Sequence, residues 1–461
     1  MGFLLNNSQN DRTTYDLEGR TTPGNVENPY TWSQRKKVFV VFVGLLTLFN
    51  SVFDSTIPSG GIDFIASSLN VRNETQHVLP TSVFLIGYVF GPLAFGPMSE
   101  VYGRRLVMVG TFILFTIFTL ACAVAPNWPA LIIFRALCGI CASSSIAVTG
   151  GLFADVYDSP RSRGRTMALS MAITTAGPQF APMISGFIAS LGWRWIFWVA
   201  LILAGVTLIP TLFLPETCRA VLKHEDARPV ERNLTQALTR PLYMIFCEPI
   251  ISFTCLYLSY ASAIFFMYFE AYPLIFKGIY SMSSGVAGLA FLPIALGAIL
   301  GMAIFLYYDS LLHIAKSQNA PWSQIQEYQR LPLACLGGPL YVLALFWLGW
   351  TSSPHIHWIV PMLAGIPFGA GFFLIFVALI NYLIDAYHEF AASAMAAASC
   401  CRSIFGAVLP LAAVPMFKRL GIPWGCSLLG ILSLGMCLIP FGFLRFGGWM
   451  RARSRFSGGR D

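Results

Sequence analysis

The chain has 461 residues, of which 56% are hydrophobic and 11% charged, with a net charge of +8 and a mean hydropathy of +0.67. A water-soluble globule could not cover that much apolar surface, so a soluble fold is excluded. The basic residues are scattered over loops and tails, which makes the charge a topology signal and argues for no nucleic-acid partner.

Roughly twenty consecutive apolar residues cross a bilayer as a helix. The sequence predicts twelve such spans, at 38–58, 79–98, 106–125, 129–150, 167–189, 194–214, 249–270, 286–308, 331–350, 357–381, 393–415 and 424–444. Residues 1–37 are polar and read as a disordered cytoplasmic tail. No small-residue cleavage site follows the first apolar run, which is therefore a retained span rather than a leader. The charged stretch 215–248 is the longest polar break and reads as a cytoplasmic linker between a bundle at 38–214 and a bundle at 249–444, with 445–461 as a basic cytoplasmic tail. The fold class is thus an all-α polytopic membrane protein, with twelve transmembrane helices in two pseudo-symmetric six-helix bundles. Span 2 (FLIGYVFGPLAFG) and its counterpart, span 8 (FLPIALGAILG), both open with Phe-Leu and carry glycines at short helical spacings. That likeness fits either an internal repeat or two unrelated packing motifs.

Of the 29 Lys and Arg, only Arg72, Arg194, Lys277, Lys418 and Arg419 fall in outward loops when the N-terminus is cytoplasmic, while Arg135 and Arg402 lie within spans. The remainder are inside, as the positive-inside rule requires. The Arg-rich end RARSRFSGGR is either an orientation signal only or a segment that meets anionic headgroups of the lipid bilayer. Asn73-Glu-Thr75 is a glycosylation sequon in the first outer loop, so Asn73 is a candidate for the sugar.

Ionisable residues inside a membrane cost about 2.5–3.5 kcal/mol on insertion scales and are functional candidates by default. Asp54 and Arg135 differ in depth by about 3 Å when each is counted from the outer end of its span at 1.5 Å per residue. They are therefore candidates for a proton-exchanging pair, the alternative being a static ion pair or an Asp54 facing vestibule water. Glu270, in FFMYFEAYPLIF, joins a carboxylate to aromatic faces and suits a cationic substrate; a solvated acid in an interfacial aromatic belt is the alternative. Arg402, in AASCCRSIFGAV, lies near mid-membrane, where it could meet an anionic substrate, a carboxylate or a structural partner. Cys138-Gly-Ile-Cys141 has redox spacing but lies in an apolar span, where cysteine behaves as a small hydrophobe. No HExxH-type spacing, nucleophile with a base, or nucleotide-binding Gly-Lys-Ser/Thr is present, so the expectation is no metal, no cofactor and no enzyme.

Charges also mark the cytoplasmic loops. After span 2 comes Gly96-x-x-x-Glu100-x-x-Gly103-Arg104-Arg105, and after span 4 comes Asp155. Gly103 permits a tight turn, and Glu100, Asp155 and the arginines can pair across neighbouring helices as a conformational latch.

GPMSEVYGRR resembles the loop 2–3 signature of the major facilitator superfamily, with Glu100 for an Asp and Val101 for the first Arg. Leu131-x-x-x-Arg135-x-x-x-Gly139 is similar to the family's span 4 signature, with Cys138 for Gln. AGPQFAPMISGF resembles its antiporter-type run, keeping Gly177-Pro178 but carrying Ala181-Pro182 and Ile173 where glycines are usual. With GWRWIFW and LPET, the chain resembles the fungal twelve-span drug:proton antiporters of the polyamine and multidrug exporter type. The resemblance implies a proton-coupling role for Arg135. It also implies a monomeric secondary transporter, exporting hydrophobic or cationic small molecules against protons by alternating access. The plasma membrane is the implied location, with the vacuolar membrane as the alternative. A proton-coupled importer of polyamine or nutrient and a non-transporting sensor are the competing readings.

Overall fold

The computed structural model describes residues 29–222, 230–387 and 390–454. Most of the tail read as disordered (1–28), part of the linker (223–229) and the end of the basic tail (455–461) lie outside the described residues. Among the described residues ten stretches are long and apolar enough to cross a membrane. One of them, Ser393–Arg453, contains two long helices, with a 3-10 turn at Leu409–Ala412 and a short helix ending at Gly421 between them. The helix Pro160–Ile188 is not among the ten; its first turn carries Arg161, Arg163 and Arg165 and its middle carries Thr174, Thr175 and Gln179. Counting both gives twelve crossing helices.

In the first half these are α1 (Gln34–Thr56), α2 (Leu79–Gly87 continued through a π turn at Gly91–Phe95 and Gly96–Val101), α3 (Arg104–Ala123), α4 (Trp128–Val156), α5 (Pro160–Ile188) and α6 (Arg194–Leu212). In the second half they are α7 (Pro249–Tyr272), α8 (Leu292–Ser317), α9 (Gln326–Thr351), α10 (Gly365–Tyr387), α11 (Ala391–Val408) and α12, which runs over 422–453. Gly421, at φ 76°, separates α12 from the short helix before it. The last helix continues through Arg453, into the residues read as tail, and the linker contains a helix at Val230–Cys247 that the polar composition there did not suggest.

Each half has its own apolar core. In the first, Phe53, Phe84, Phe112, Phe115, Leu131 and Phe197 interlock; in the second, aromatics of α7 and α10 dominate, including Phe265, Tyr268, Phe368 and Phe372. Without a hydrophobic drive between helices in lipid, close backbone approach through small residues matters. Here the glycines of the two similar spans perform the same task. A Cβ on Gly87 or Gly91 of α2 would lie 2.4 Å from Ile140 N and 2.5 Å from Ser143 O of α4, and one on Gly297 or Gly301 of α8 would lie 2.2 Å from Ile366 O and 2.9 Å from the Phe373 ring of α10. The equivalent helix pairs are therefore packed by the same Gly-x-x-x-Gly device, which favours the repeat.

The halves meet along α2 with α11 and α5 with α8. At one end of the bundles Asp63 pairs with Lys277 and Glu74 with Lys418, each pair crossing from the first half to the second. At the opposite end Asp309, in the last third of α8, faces Arg161 and Arg165 at the start of α5, at 3.7 and 3.5 Å.

Candidate functional site

The Asp54 and Arg135 side chains meet between α1 and α4. Arg135 Nη1 donates to Asp54 Oδ2 at 2.8 Å, with the arginine buried at 0% exposure and the aspartate at 2%. The guanidinium also donates from Nη2 to the carbonyls of Asp54 (2.8 Å) and Ser55 (3.2 Å) and from Nε to that of Pro80 (3.2 Å), and it lies 4.3 Å from the centre of the Phe84 ring. The two α1 carbonyls belong to the last turn of the helix, where acceptors lack an intrahelical partner and the helix dipole favours a cation. Arg135 thus ties α1, α2 and α4 together independently of its bond to the carboxylate. Asp54 Oδ1 is the exception among these atoms: it is buried and has no hydrogen-bond partner. A proton arriving at Oδ1 would meet an acceptor whose second oxygen is already committed to a cation.

Polar side chains around this pair extend it inward. Ser51 Oγ donates to the Ala142 carbonyl at 2.9 Å and lies 2.8 Å from the Tyr88 hydroxyl, which itself donates to the Ser51 carbonyl at 2.8 Å. Asn50 Nδ2 donates to Thr207 Oγ1 at 2.6 Å and to Leu46 O. Neither cluster was singled out from the sequence, although the run of polar residues Asn50, Ser51 and Asp54 in one apolar span was a usable signal. Beside them, Thr56 Oγ1 donates to the carbonyl of Pro178 at 2.8 Å, and a Cβ on Gly177 would come within 2.7 Å of Val52 Cγ2. The Gly177-Pro178 step therefore sets how closely α5 packs on the Asp54 end of α1.

Glu270 sits in the outer turn of α7, half-buried, and no hydrogen bond or ion pair joins it to Asp54, Arg135 or Arg402 among the described residues. Arg402 is half-buried on α11, with its guanidinium carbon 5.8 Å from the centre of the Phe376 ring. The four in-membrane charges are thus divided: two form a pair, and two stand apart.

At the end of the bundle where α2 turns into α3, the loop signature is a network inside the first half. Arg104 Nε donates to Asp155 Oδ2 at 3.2 Å and its Nη1 to Ser99 Oγ at 2.6 Å, while Glu100 is 62% exposed and lies 3.7 Å away. The stronger carboxylate is Glu216, which follows α6. It accepts from the backbone N–H of Arg104 (2.9 Å) and Arg105 (3.1 Å) and from those of Thr217 and Cys218, capping α3 at the end where its dipole favours an anion. Gly103 turns the chain at φ 98°, and a Cβ there would lie 2.4 Å from Glu216 Oε2. The Arg105 guanidinium donates to the Leu212 carbonyl at 3.4 Å instead of to a helix neighbour's acid. Gly96 has open space where its Cβ would be, and its carbonyl accepts from Ser99 Oγ. Asn73 is exposed and accepts from the Thr75 N–H at 3.0 Å, capping a short outer turn. All eleven cysteines are free thiols, Cys138 and Cys141 among them.

The second half repeats this pairing: Arg330 at the start of α9 donates to Asp385 at the end of α10 at 2.8 Å, as Arg104 of α3 does to Asp155 of α4. The model of the Major Facilitator Superfamily matches residues 44–410. The chain belongs to this superfamily. It is 34% identical to the efflux pump FUB11 of Gibberella moniliformis over 94% of this chain and 77% of that protein. It is 36% identical to the citrinin biosynthesis cluster MFS transporter mrr1 of Monascus ruber, over 94% of this chain and 91% of that one. The xylose transporter XylE from E. coli, in a partially occluded inward-open conformation, superposes with a TM-score of 0.64 at 17% identity, covering 89% of this chain and 99% of that one. The chain is therefore a multi-pass membrane transporter of the Major Facilitator Superfamily with efflux pumps among its relatives.

Proposed function

We propose that this transporter exports hydrophobic small molecules in exchange for protons, with Asp54 as the proton-binding group. The observation that carries the reading is the buried Asp54–Arg135 pair with Oδ1 unoccupied. Protonation removes the charge that holds Arg135 Nη1 but leaves the three carbonyl acceptors that anchor the guanidinium. The carboxyl is then held only by a weaker, neutral hydrogen bond while the arginine stays, so the contact between the outer ends of α1 and α4 loosens without unfolding either helix.

Alternating access follows from rocking one bundle against the other around a site between them. The outer pairs Asp63–Lys277 and Glu74–Lys418 hold one face together and must part for it to open. The inner contact of Asp309 with Arg161 and Arg165 is its counterpart. In this cycle a proton enters from outside onto Asp54 and leaves to the cytoplasm, and the substrate travels the other way, from a monomeric carrier in the plasma membrane.

The test is accumulation of labelled hydrophobic compounds in drug-sensitive yeast expressing the chain, with and without a protonophore, beside Arg135→Ala at matched surface expression. Lower accumulation that disappears with protonophore and in the variant is the expected result. Higher accumulation in expressing cells would reverse the direction, and protonophore-resistant export would remove the proton.

A further inference from the structure

Arg402 is, with Glu270, one of two in-membrane charges that the proton-coupling reading does not use. It lies eleven residues into α11, about 16 Å from the cytoplasmic start of the helix at 1.5 Å per residue, close to the middle of a hydrocarbon core roughly 30 Å thick. Its side chain does not turn to lipid: Ile404, Phe405 and Val408 form the exposed face of α11, at 48, 37 and 52% exposure, while Gly406, one turn beyond Arg402, packs on Phe266 and Leu85. The Cys400 thiol donating to Val89 O holds this stretch of α11 against α2, so the guanidinium lies where the two bundles meet.

Among the described residues no acid pairs with it. Tyr88, whose hydroxyl is already engaged with Ser51, is the titratable group that faces it, and Phe376 supplies the ring contact. Asp54 is committed to Arg135. Glu270 is out of reach, because Phe266 of α7 is level with Gly406 and Glu270 is one turn farther outward while Arg402 is one turn inward, a separation of about 12 Å along the helices. Among the described residues no hydrogen bond or ion pair serves the guanidinium. At this depth the guanidinium is therefore a charge without a counter-ion, in a place where charge is costly and five donors are available.

The other feature at this spot is aromatic. Phe376 stacks on Phe372 at 4.3 Å, and Phe372 on Phe265 at 4.5 Å, so a ladder of rings on α7 and α10 ends beside the guanidinium. We propose that Arg402 is the counter-ion for the transported molecule, and that the substrate is an organic anion, a carboxylate on a flat apolar body, with its charge on Arg402 and its body along the edge of the Phe376–Phe372 ladder. A planar guanidinium binds a carboxylate through two parallel hydrogen bonds, which an ammonium cannot reproduce. The depth selects a free amphiphile over a lipid headgroup. This assignment rests on the export reading and replaces its cationic option with an anionic one.

The experiment uses the full chain in proteoliposomes with three probes of one shape: 2-naphthoate, neutral 2-naphthamide and 2-naphthylmethylammonium. The wild type should move the naphthoate at least about tenfold faster than either analogue, as expected for a charge-assisted hydrogen bond. Arg402→Gln should abolish that preference, lowering naphthoate flux at least about tenfold more than naphthamide flux, and Arg402→Lys should recover it only in part. Equal loss of naphthoate and naphthamide flux in Arg402→Gln would make the residue structural and overturn the proposal. So would a wild type that prefers the amide or the ammonium, an outcome that leaves export itself standing. If Arg402→Gln does not fold, thermal stabilisation of the wild type decides: naphthoate must stabilise and naphthamide must not. Anion preference without dependence on a proton gradient would sustain this proposal and defeat the coupling mechanism instead.

Discussion

Replacing Asp54 with Asn removes the charge of the carboxylate and keeps its shape. Removing one partner of a buried ion pair costs on the order of 3–5 kcal/mol when the other is left uncompensated. Arg135 is not left so, because three backbone carbonyls and the Phe84 ring remain around it. The amide oxygen can still accept from Nη1, so the loss reduces to that of one charge-assisted hydrogen bond weakened to a neutral one, about 1–2 kcal/mol. Arg135→Ala strips the whole set and leaves a buried carboxylate unpaired, so its cost is the full amount of about 3–5 kcal/mol. Asp54→Asn should therefore reach the membrane in near-normal amount, with a modest fall in thermal stability, whereas Arg135→Ala should be markedly less stable. In reconstituted vesicles the amide of the Asp54→Asn variant has no proton to exchange, so uphill transport driven by a pH gradient should vanish while exchange of labelled for unlabelled substrate persists. The reasoning is refuted if Asp54→Asn still concentrates substrate against its gradient to the wild-type extent.

Other consequences follow from named contacts. Gly103→Ala places a Cβ at φ 98° and 2.4 Å from Glu216 Oε2, and should lower stability by about 1–3 kcal/mol in a thermal melt in detergent; an unchanged melt would contradict the cap. Glu216→Gln retains an acceptor but loses the charge at the α3 terminus, and should cost about 0.3–1 kcal/mol, read in the same melt. Asp63→Lys should raise labelling of cysteines introduced at the outer mouth, and adding Lys277→Asp should reverse the effect; because the pair is partly exposed it is worth only about 0.2–1 kcal/mol, and high salt should shrink the difference. Asn73→Gln should abolish any glycosidase-sensitive gel shift of the expressed chain.

The helices were legible because an apolar run of span length has one stable form in lipid, and the Asp54–Arg135 meeting because depth follows from counting residues along two helices. The opposite outcome at Glu100 is instructive. A linear motif placed the acid of the loop beside its arginines, but the carboxylate that caps α3 comes from Glu216, more than a hundred residues on, at the end of α6. Nothing in local spacing links those positions; only the return of the bundle to the same surface does. Arg104 with Asp155 was readable as a possible pair, yet its echo in Arg330 and Asp385 was hidden because the second copy lacks the glycine-rich loop that drew the eye to the first. The helix at Val230–Cys247 was concealed by its polar composition, since the apolar-run criterion detects membrane spans and passes over surface helices. The aromatic ladder beside Arg402 needed two helices to be brought side by side before it could be seen at all.

The most direct test of proton-coupled export is a simultaneous record of substrate and proton flux in vesicles holding the purified chain and a pH-sensitive dye. Adding substrate on the cytoplasmic face should drive protons toward that face as the substrate leaves it, and Asp54→Asn should move substrate down its gradient with no proton signal. Substrate flux in the wild type without proton movement, or with protons travelling in the same direction, would contradict the account.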